Sequence, residues 1–175
     1  MEAKRAGDIM IPLDRYPHIP HWYTLRQAIA ELRASQIEVQ GRVSLPRAVL
    51  VFNKAYELLG IVRRRDILRG LEPSFLAGGS KDYERRLFDV KVDPNLSDFS
   101  SDSMIRAIRA QAEHRVSDVM VPIVATVQSD DHIMKIVHEM VKNDLSLIPV
   151  LKDGRVVGVV RSVDLLNEIS DIVLS

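Results

Sequence analysis

Two arginine–aspartate pairs, Arg63 with Asp66 and Arg161 with Asp164, are the side chains in this sequence best suited to chemistry. An ionised carboxylate accepts charge-assisted hydrogen bonds from hydroxyl groups, and a guanidinium, charged throughout the physiological range, matches a phosphate with two parallel bonds. Each pair ends a hydrophobic run that opens with glycine: Gly60-Ile61-Val62-Arg63-Arg64-Arg65-Asp66 and Gly158-Val159-Val160-Arg161-Ser162-Val163-Asp164. A strand running into a helix would place each aspartate in the first helical turn. There the positive end of the helix keeps the carboxylate ionised, and spare backbone N–H groups can meet an anion. The spacing equally suits plainer roles: an aspartate that caps its helix, and an arginine that is solvated or pairs with that aspartate.

Other chemistries find little support. His18 with His21, and His132 with His138, come without a cysteine or carboxylate cluster to complete a metal site. Arg63-Arg64-Arg65 with Arg69 is basic, but it lacks interleaved aromatics, and 24 Lys+Arg are balanced by 24 Asp+Glu. There is no Ser-His-Asp order, glycine-rich phosphate loop or paired carboxylate, so no enzyme, metal or nucleic-acid function is expected. The sequence has no cysteine, no apolar stretch long enough for a bilayer, and no apolar signal core after Met1-Glu2-Ala3-Lys4-Arg5. A cytoplasmic protein without membrane contact is expected, and its 46% hydrophobic residues suffice for a core.

The elements that must position the pairs are repeated. Asp8-Ile9-Met10-Ile11-Pro12 returns as Asp118-Val119-Met120-Val121-Pro122, so two blocks recur in one order. A repeat of this size implies two copies of a small unit that bury a face against each other. The first copy spans 7–71, the second 116–172, and a partly helical connector occupies 72–115. Connector breaks are expected at Pro73-Ser74, Gly78-Gly79-Ser80 and Asp93-Pro94-Asn95, with helix from Ser103 to His114. Leu25, Ala28, Ile29 and Leu32 match Ile133, Ile136, Val137 and Met140 at helical spacing, with Ser129-Asp130-Asp131 expected to cap the second helix. Hairpins follow at Ala48–Phe52 with Leu58–Val62, and at Leu147–Leu151 with Val156–Val160; Asp153-Gly154 marks a tight turn. Copy one carries a polar insertion around Gln40-Gly41-Arg42-Val43-Ser44, and five residues separate Pro12 from His18 where three separate Pro122 from Thr126.

Asp-hydrophobic-Met-x-Pro, then strand, helix, hairpin and a Gly-h-h-x-x-x-Asp ending, resembles the CBS domain, and the duplication resembles the tandem CBS pair, or Bateman module. The resemblance covers nearly all of the chain outside the connector and the ends, and it looks like a stand-alone pair. It implies an α/β (α+β) fold of two β-α-β-β-α repeats packed with pseudo-two-fold symmetry around two clefts. It also implies a regulatory module that binds AMP, ADP or ATP, with S-adenosylmethionine or NAD as lesser candidates. In the family pattern the aspartate, here Asp66 or Asp164, accepts from the ribose hydroxyls. The threonine or serine three residues earlier is replaced here by Arg63 or Arg161, which would then meet phosphate. Thr126 stands at the family's small hydroxyl position, and His18 is its counterpart. Ile19, Pro20, Val124, Val127, Ile148 and Pro149 are candidate walls for adenine. Copy two has Thr126 and Pro149 where copy one has His18 and Leu50, so a cleft holding Asp164, Arg161 and Thr126 is expected to fill first. The resemblance further implies a homodimer, through faces including Ala28, Leu32, Val137, Met140 and the last helices, and an unidentified regulated protein. The alternative is an interaction or structural module with empty clefts.

Overall fold

In each half a β-branched hairpin forms the centre of a four-stranded sheet. The computed structural model describes residues 3–73 and 101–175. The first hairpin pairs β5 (Ala48–Phe52) with β6 (Leu58–Arg63), and the second pairs β9 (Leu147–Lys152) with β10 (Arg155–Arg161). The second turns on Asp153 (φ 52°) and Gly154 (φ 77°), the left-handed pair that matches the twist of a tight hairpin. The first closes a longer loop in which the Asn53 side-chain oxygen accepts from the Glu57 N–H at 2.9 Å.

A parallel strand flanks each hairpin: β2 (His18–Pro20) beside β5, and β8 (Val127–Gln128) beside β9. The register pairs His18 with Leu50 and Val127 with Val150. Helix α2 (Leu25–Ala34) starts on a reciprocal cap, Gln27 N–H to Thr24 Oγ1 at 3.2 Å and Thr24 N–H to Gln27 Oε1 at 2.9 Å. Its counterpart α5 (Ile133–Asn143) is capped by His132, whose Nδ1 accepts from the Met134 N–H; Asp131 instead binds Gln128 N–H and Lys135. The remaining helices are α1 (Ala6–Ile9), α3 (Arg64–Leu71), α4 (Ser101–Gln111) and α6 (Ser162–Leu174). Helix α4 covers much of the helix expected in the connector, and the turn after it is tied to α2 by Leu25 N–H to His114 O at 2.8 Å. Gly78-Gly79-Ser80 and Asp93-Pro94-Asn95 lie outside the described residues.

The sheets cross the sequence repeat. The fourth strand of the first sheet is β7 (Val121–Pro122), from the second half, and that of the second sheet is β1 (Ile11–Pro12), from the first. Cores follow the same exchange: Ala6 and Ile9 pack with Ile136, Ile148 and Val150, while Val116 and Val119 pack with Leu25, Val49 and Val62. Between the sheets, Ile11, Tyr16, Leu50, Phe52 and Val159 form a third buried cluster. The insertion in copy one is a small hairpin, β3 (Ile37–Val39) with β4 (Arg42–Ser44), whose Ile37 is buried in that third cluster.

One expectation needs correction. Ala28 and Met140 are buried in the chain's own cores, with Leu32 and Val137 packed against them, so these residues do not form a face for a second copy. The apolar stripes of α2 and α5 are already used against their own sheets, as amphipathic helices generally are. The apolar side chains left in solvent are others, including Leu68, Met134, Val141, Leu166 and Val173.

The exchange explains why two separated blocks recur. Gly158 pairs with Pro12 and Gly60 with Pro122, each beneath the strand from the other half. A Cβ at Gly60 would lie 2.6 Å from the Val121 carbonyl oxygen, and one at Gly158 would strike the Ile11 carbonyl oxygen and come within 2.8 Å of Met10 Sδ. Glycine is required here by close approach of backbone. Gly60→Ala and Gly158→Ala are each expected to lower stability by about 1–3 kcal/mol, as overpacking does. Urea unfolding measures this, and unchanged midpoints would show that the crossing strands tolerate a Cβ.

Candidate functional site

Each hairpin's last strand runs directly into a helix, and the Arg/Asp pairs sit at these junctions. Arg63 is the N-cap of α3 and Arg161 the N-cap of α6, both with extended backbone. Arginine cannot accept a bond as an N-cap threonine or serine would, so its side chain turns onto the aspartate three residues later. Arg63 Nε donates to Asp66 Oδ2 at 2.8 Å and its Nη2 to Oδ1 at 3.0 Å, while the Arg63 backbone N–H adds 2.9 Å to Oδ2. Arg161 repeats the fork on Asp164 at 2.7 and 2.8 Å and donates through Nη1 to Ser44 Oγ at 2.8 Å.

Asp66 is fully buried and also lies 3.4 Å from Arg69 Nη2. Burial by itself pushes the Asp66 carboxyl up; the hydrogen bonds from the Arg63 side chain and backbone, with the charges of Arg63 and Arg69, overcome this and hold it below the ordinary aspartate value. Tyr16, buried beside the second junction, donates to the Ala48 carbonyl at 2.8 Å. Burial pushes its phenol far up, with Arg161 opposing and Asp164 reinforcing the shift.

Two clefts lie between the repeats. The first, about 660 Å³, has Arg47, Arg63, Arg64 and Arg65 on one side and the segment 121–125 with Leu145 and Pro149 on the other. The second, about 410 Å³, is lined by Tyr16, Ser44 and Leu45 of the first half and by Arg161, Ser162 and Val163 of the second. Each cleft thus joins the junction of one repeat to the strands and loops of the other.

This arrangement separates residues that the sequence grouped. Arg161 opens on the second cleft, and Pro149 lines the first with Arg63. Thr126 and Asp164 are in neither cleft's lining, so of the expected group Asp164, Arg161 and Thr126 only Arg161 lines a cleft directly. Thr126 is half-buried just before β8, whereas Val127 and Ile19 are core residues. His18 is half-buried, with Nδ1 2.9 Å from Tyr16 O, Nε2 2.7 Å from Tyr56 Oη, and ring edges on Phe52 and Tyr56. Arg47, Ser44 and Tyr16 were not picked out from the sequence; a residue just before a hairpin strand, which Arg47 is, was the available signal.

A family model described as "CBS domain" matches residues 116–171. The second half of this chain carries a CBS domain. The whole fold is that of CBS-domain structures. The CBS domain of a CBS domain containing membrane protein from Sphaerobacter thermophilus superposes with a TM-score of 0.63 at 21% identity, covering 94% of this chain and 87% of that one. CBSX2 in complex with AMP gives 0.61 at 14% identity over 97% and 98% of the two chains. The cytosolic domain of the Mg2+ channel MgtE in complex with ATP gives 0.59 at 19% identity, over 95% of this chain and 49% of that one. No curated protein matches by sequence. Among the described residues no helix is long and apolar enough to cross a membrane.

In this CBS fold the depressed Asp66 fixes a pH dependence. A carboxyl whose value is lower in the folded chain contributes stability that is present above its unfolded value, about 3.9, and is lost as pH falls through the folded one. Asp66→Asn should cost about 1–3 kcal/mol at neutral pH, with the gap from the parent narrowing on acidification. Chemical unfolding at neutral pH and near pH 3 measures this; a gap that stays constant would show that the charge on Asp66 contributes nothing.

Proposed function

We propose that this chain is a regulatory module that binds an adenosine nucleotide in the first cleft, with arginines holding phosphate and the apolar wall holding the base. The observation that carries this reading is the lining of that cleft: the first half contributes Arg47, Arg64 and Arg65, and the second half contributes Val121, Pro122, Val124 and Pro149, with Asp144 the one carboxylate among them. A flat base with an anionic tail fits such a surface, and a cleft of about 660 Å³ lies within the range of small-molecule sites. Likeness of fold to CBSX2 with AMP and to the MgtE domain with ATP supports the ligand class. Asp66 and Asp164 keep their arginine partners in this reading and act as supports for the junctions, because both carboxylates are buried and paired. Ligand acts by favouring one arrangement of the two repeats over another, since only unequal binding shifts an equilibrium.

Calorimetry with ATP, ADP, AMP and adenosine tests the proposal, with NAD and S-adenosylmethionine as comparisons. Arg65→Ala, on a residue that lines the first cleft and not the second, should weaken ATP in that cleft about tenfold and adenosine little, as loss of one charged hydrogen bond does. No heat with any of these ligands would favour the second reading, a partner-binding module with empty clefts, which the internal pairing of both arginine–aspartate forks already suits.

The same module is proposed to form a homodimer through α5 and α6, where Met134, Val141, Leu166 and Val173 are exposed. Light scattering at micromolar concentration should give twice the chain mass, and a monomer mass would reject the dimer.

A further inference from the structure

The two clefts are not separate. Five residues, Arg47, Ala48, Arg64, Ser146 and Leu147, line both. They come from the starts of β5 and β9 and the first residue of α3, and backbone bonds brace this partition. Arg64 N–H donates to the Arg47 carbonyl at 3.1 Å, as Ser162 N–H donates to the Ser146 carbonyl at 2.8 Å.

The pseudo-two-fold that relates these bonds is broken in charge. Arg47 stands opposite Ser146, and Arg64 opposite Ser162, so both uncompensated guanidiniums of the partition come from the first half. Arg63 and Arg161 are neutralised by Asp66 and Asp164. Among the described residues, by contrast, no ion pair is formed by Arg47 or Arg64; Arg64 Nη2 makes only a 3.4 Å contact with the Pro46 carbonyl. Both side chains are exposed and can be reached from either cleft.

From this shared pair of cations we infer that the two clefts exclude each other for polyphosphate ligands: a triphosphate held by Arg47 and Arg64 from one side prevents a second from binding on the other. This rests on the nucleotide reading above for the identity of the ligand, and on the partition alone for the exclusion. The first anion uses the available charge, and a second would meet neutralised guanidiniums and the excess negative charge of the first, a like-charge juxtaposition that opposes binding. A neutral nucleoside makes no demand on either arginine, so it escapes the exclusion.

Calorimetric stoichiometry on the whole chain tests this with ATP and with inorganic triphosphate. The exposed residues Val124, in the first cleft only, and Leu45, in the second only, allow each cleft to be obstructed by tryptophan without touching the core. The parent, Val124→Trp and Leu45→Trp should each bind one ATP, and the double variant none. Inorganic triphosphate should bind once per chain, and Arg47→Ala with Arg64→Ala should weaken it at least tenfold. Two ATP per parent chain would overturn the inference by showing independent clefts. Loss of all binding in either single variant, with its circular dichroism unchanged, would overturn it by showing only one competent cleft. ATP that fails to bind while triphosphate binds once would refute the nucleotide reading and leave the shared anion site standing.

Discussion

The structure depends on two points of backbone contact where a strand of one repeat lies across the last hairpin strand of the other. Gly158 beneath Ile11 and Gly60 beneath Val121 leave no space for a side chain. Because of these crossings neither half closes its own sheet or core: Ala6 and Ile9 are needed in the second half, Val116 and Val119 in the first. The clefts inherit the same geometry. A junction bearing Arg63 faces the 121–125 segment because β7 leads away from β6, and the junction bearing Arg161 faces Tyr16 because the chain after β1 passes beside β10.

Charge at the junctions follows from one substitution of residue type. A threonine at an N-cap would accept from the helix and leave the aspartate free to accept from a ligand. Arginine at positions 63 and 161 reverses the direction: it donates, and the aspartate is occupied from within the chain. The pairs then tie each strand end to the first turn of its helix, and positive charge without an ion pair among the described residues falls to Arg47, Arg64 and Arg65. The positive lining of the first cleft is therefore built from residues adjoining the motif.

Much of this was legible in the sequence. The hairpins, the helix faces and the correspondence of His18 with Thr126 follow from spacing, because hydrophobic periodicity and turn residues act locally. The strand exchange was not legible, since contiguous repeats and exchanged ones carry the same text; only the paired glycines hinted at it, and their meaning lies in a contact between distant segments. The partner of each arginine was likewise open, because ion pairing and phosphate binding ask the same of a guanidinium. Ile37 and the β3–β4 hairpin were hidden by the polar residues around them, which face solvent while Ile37 enters the core and Val39 packs against it.

The prolines of the repeated motif have a bearing on association as well. Pro12 and Pro122 end the outermost strands of their sheets, β1 and β7, and Pro20 ends β2 at the opposite border of the first. Proline offers no amide hydrogen, and strands of two or three residues present little free backbone, so three of the four borders of the two four-stranded sheets are poor templates for another chain. The fourth, β8, has only Val127 and Gln128. A molecule whose borders are blunted in this way can carry exposed apolar helices at high concentration with less risk that contact between copies grows into an open-ended stack of strands.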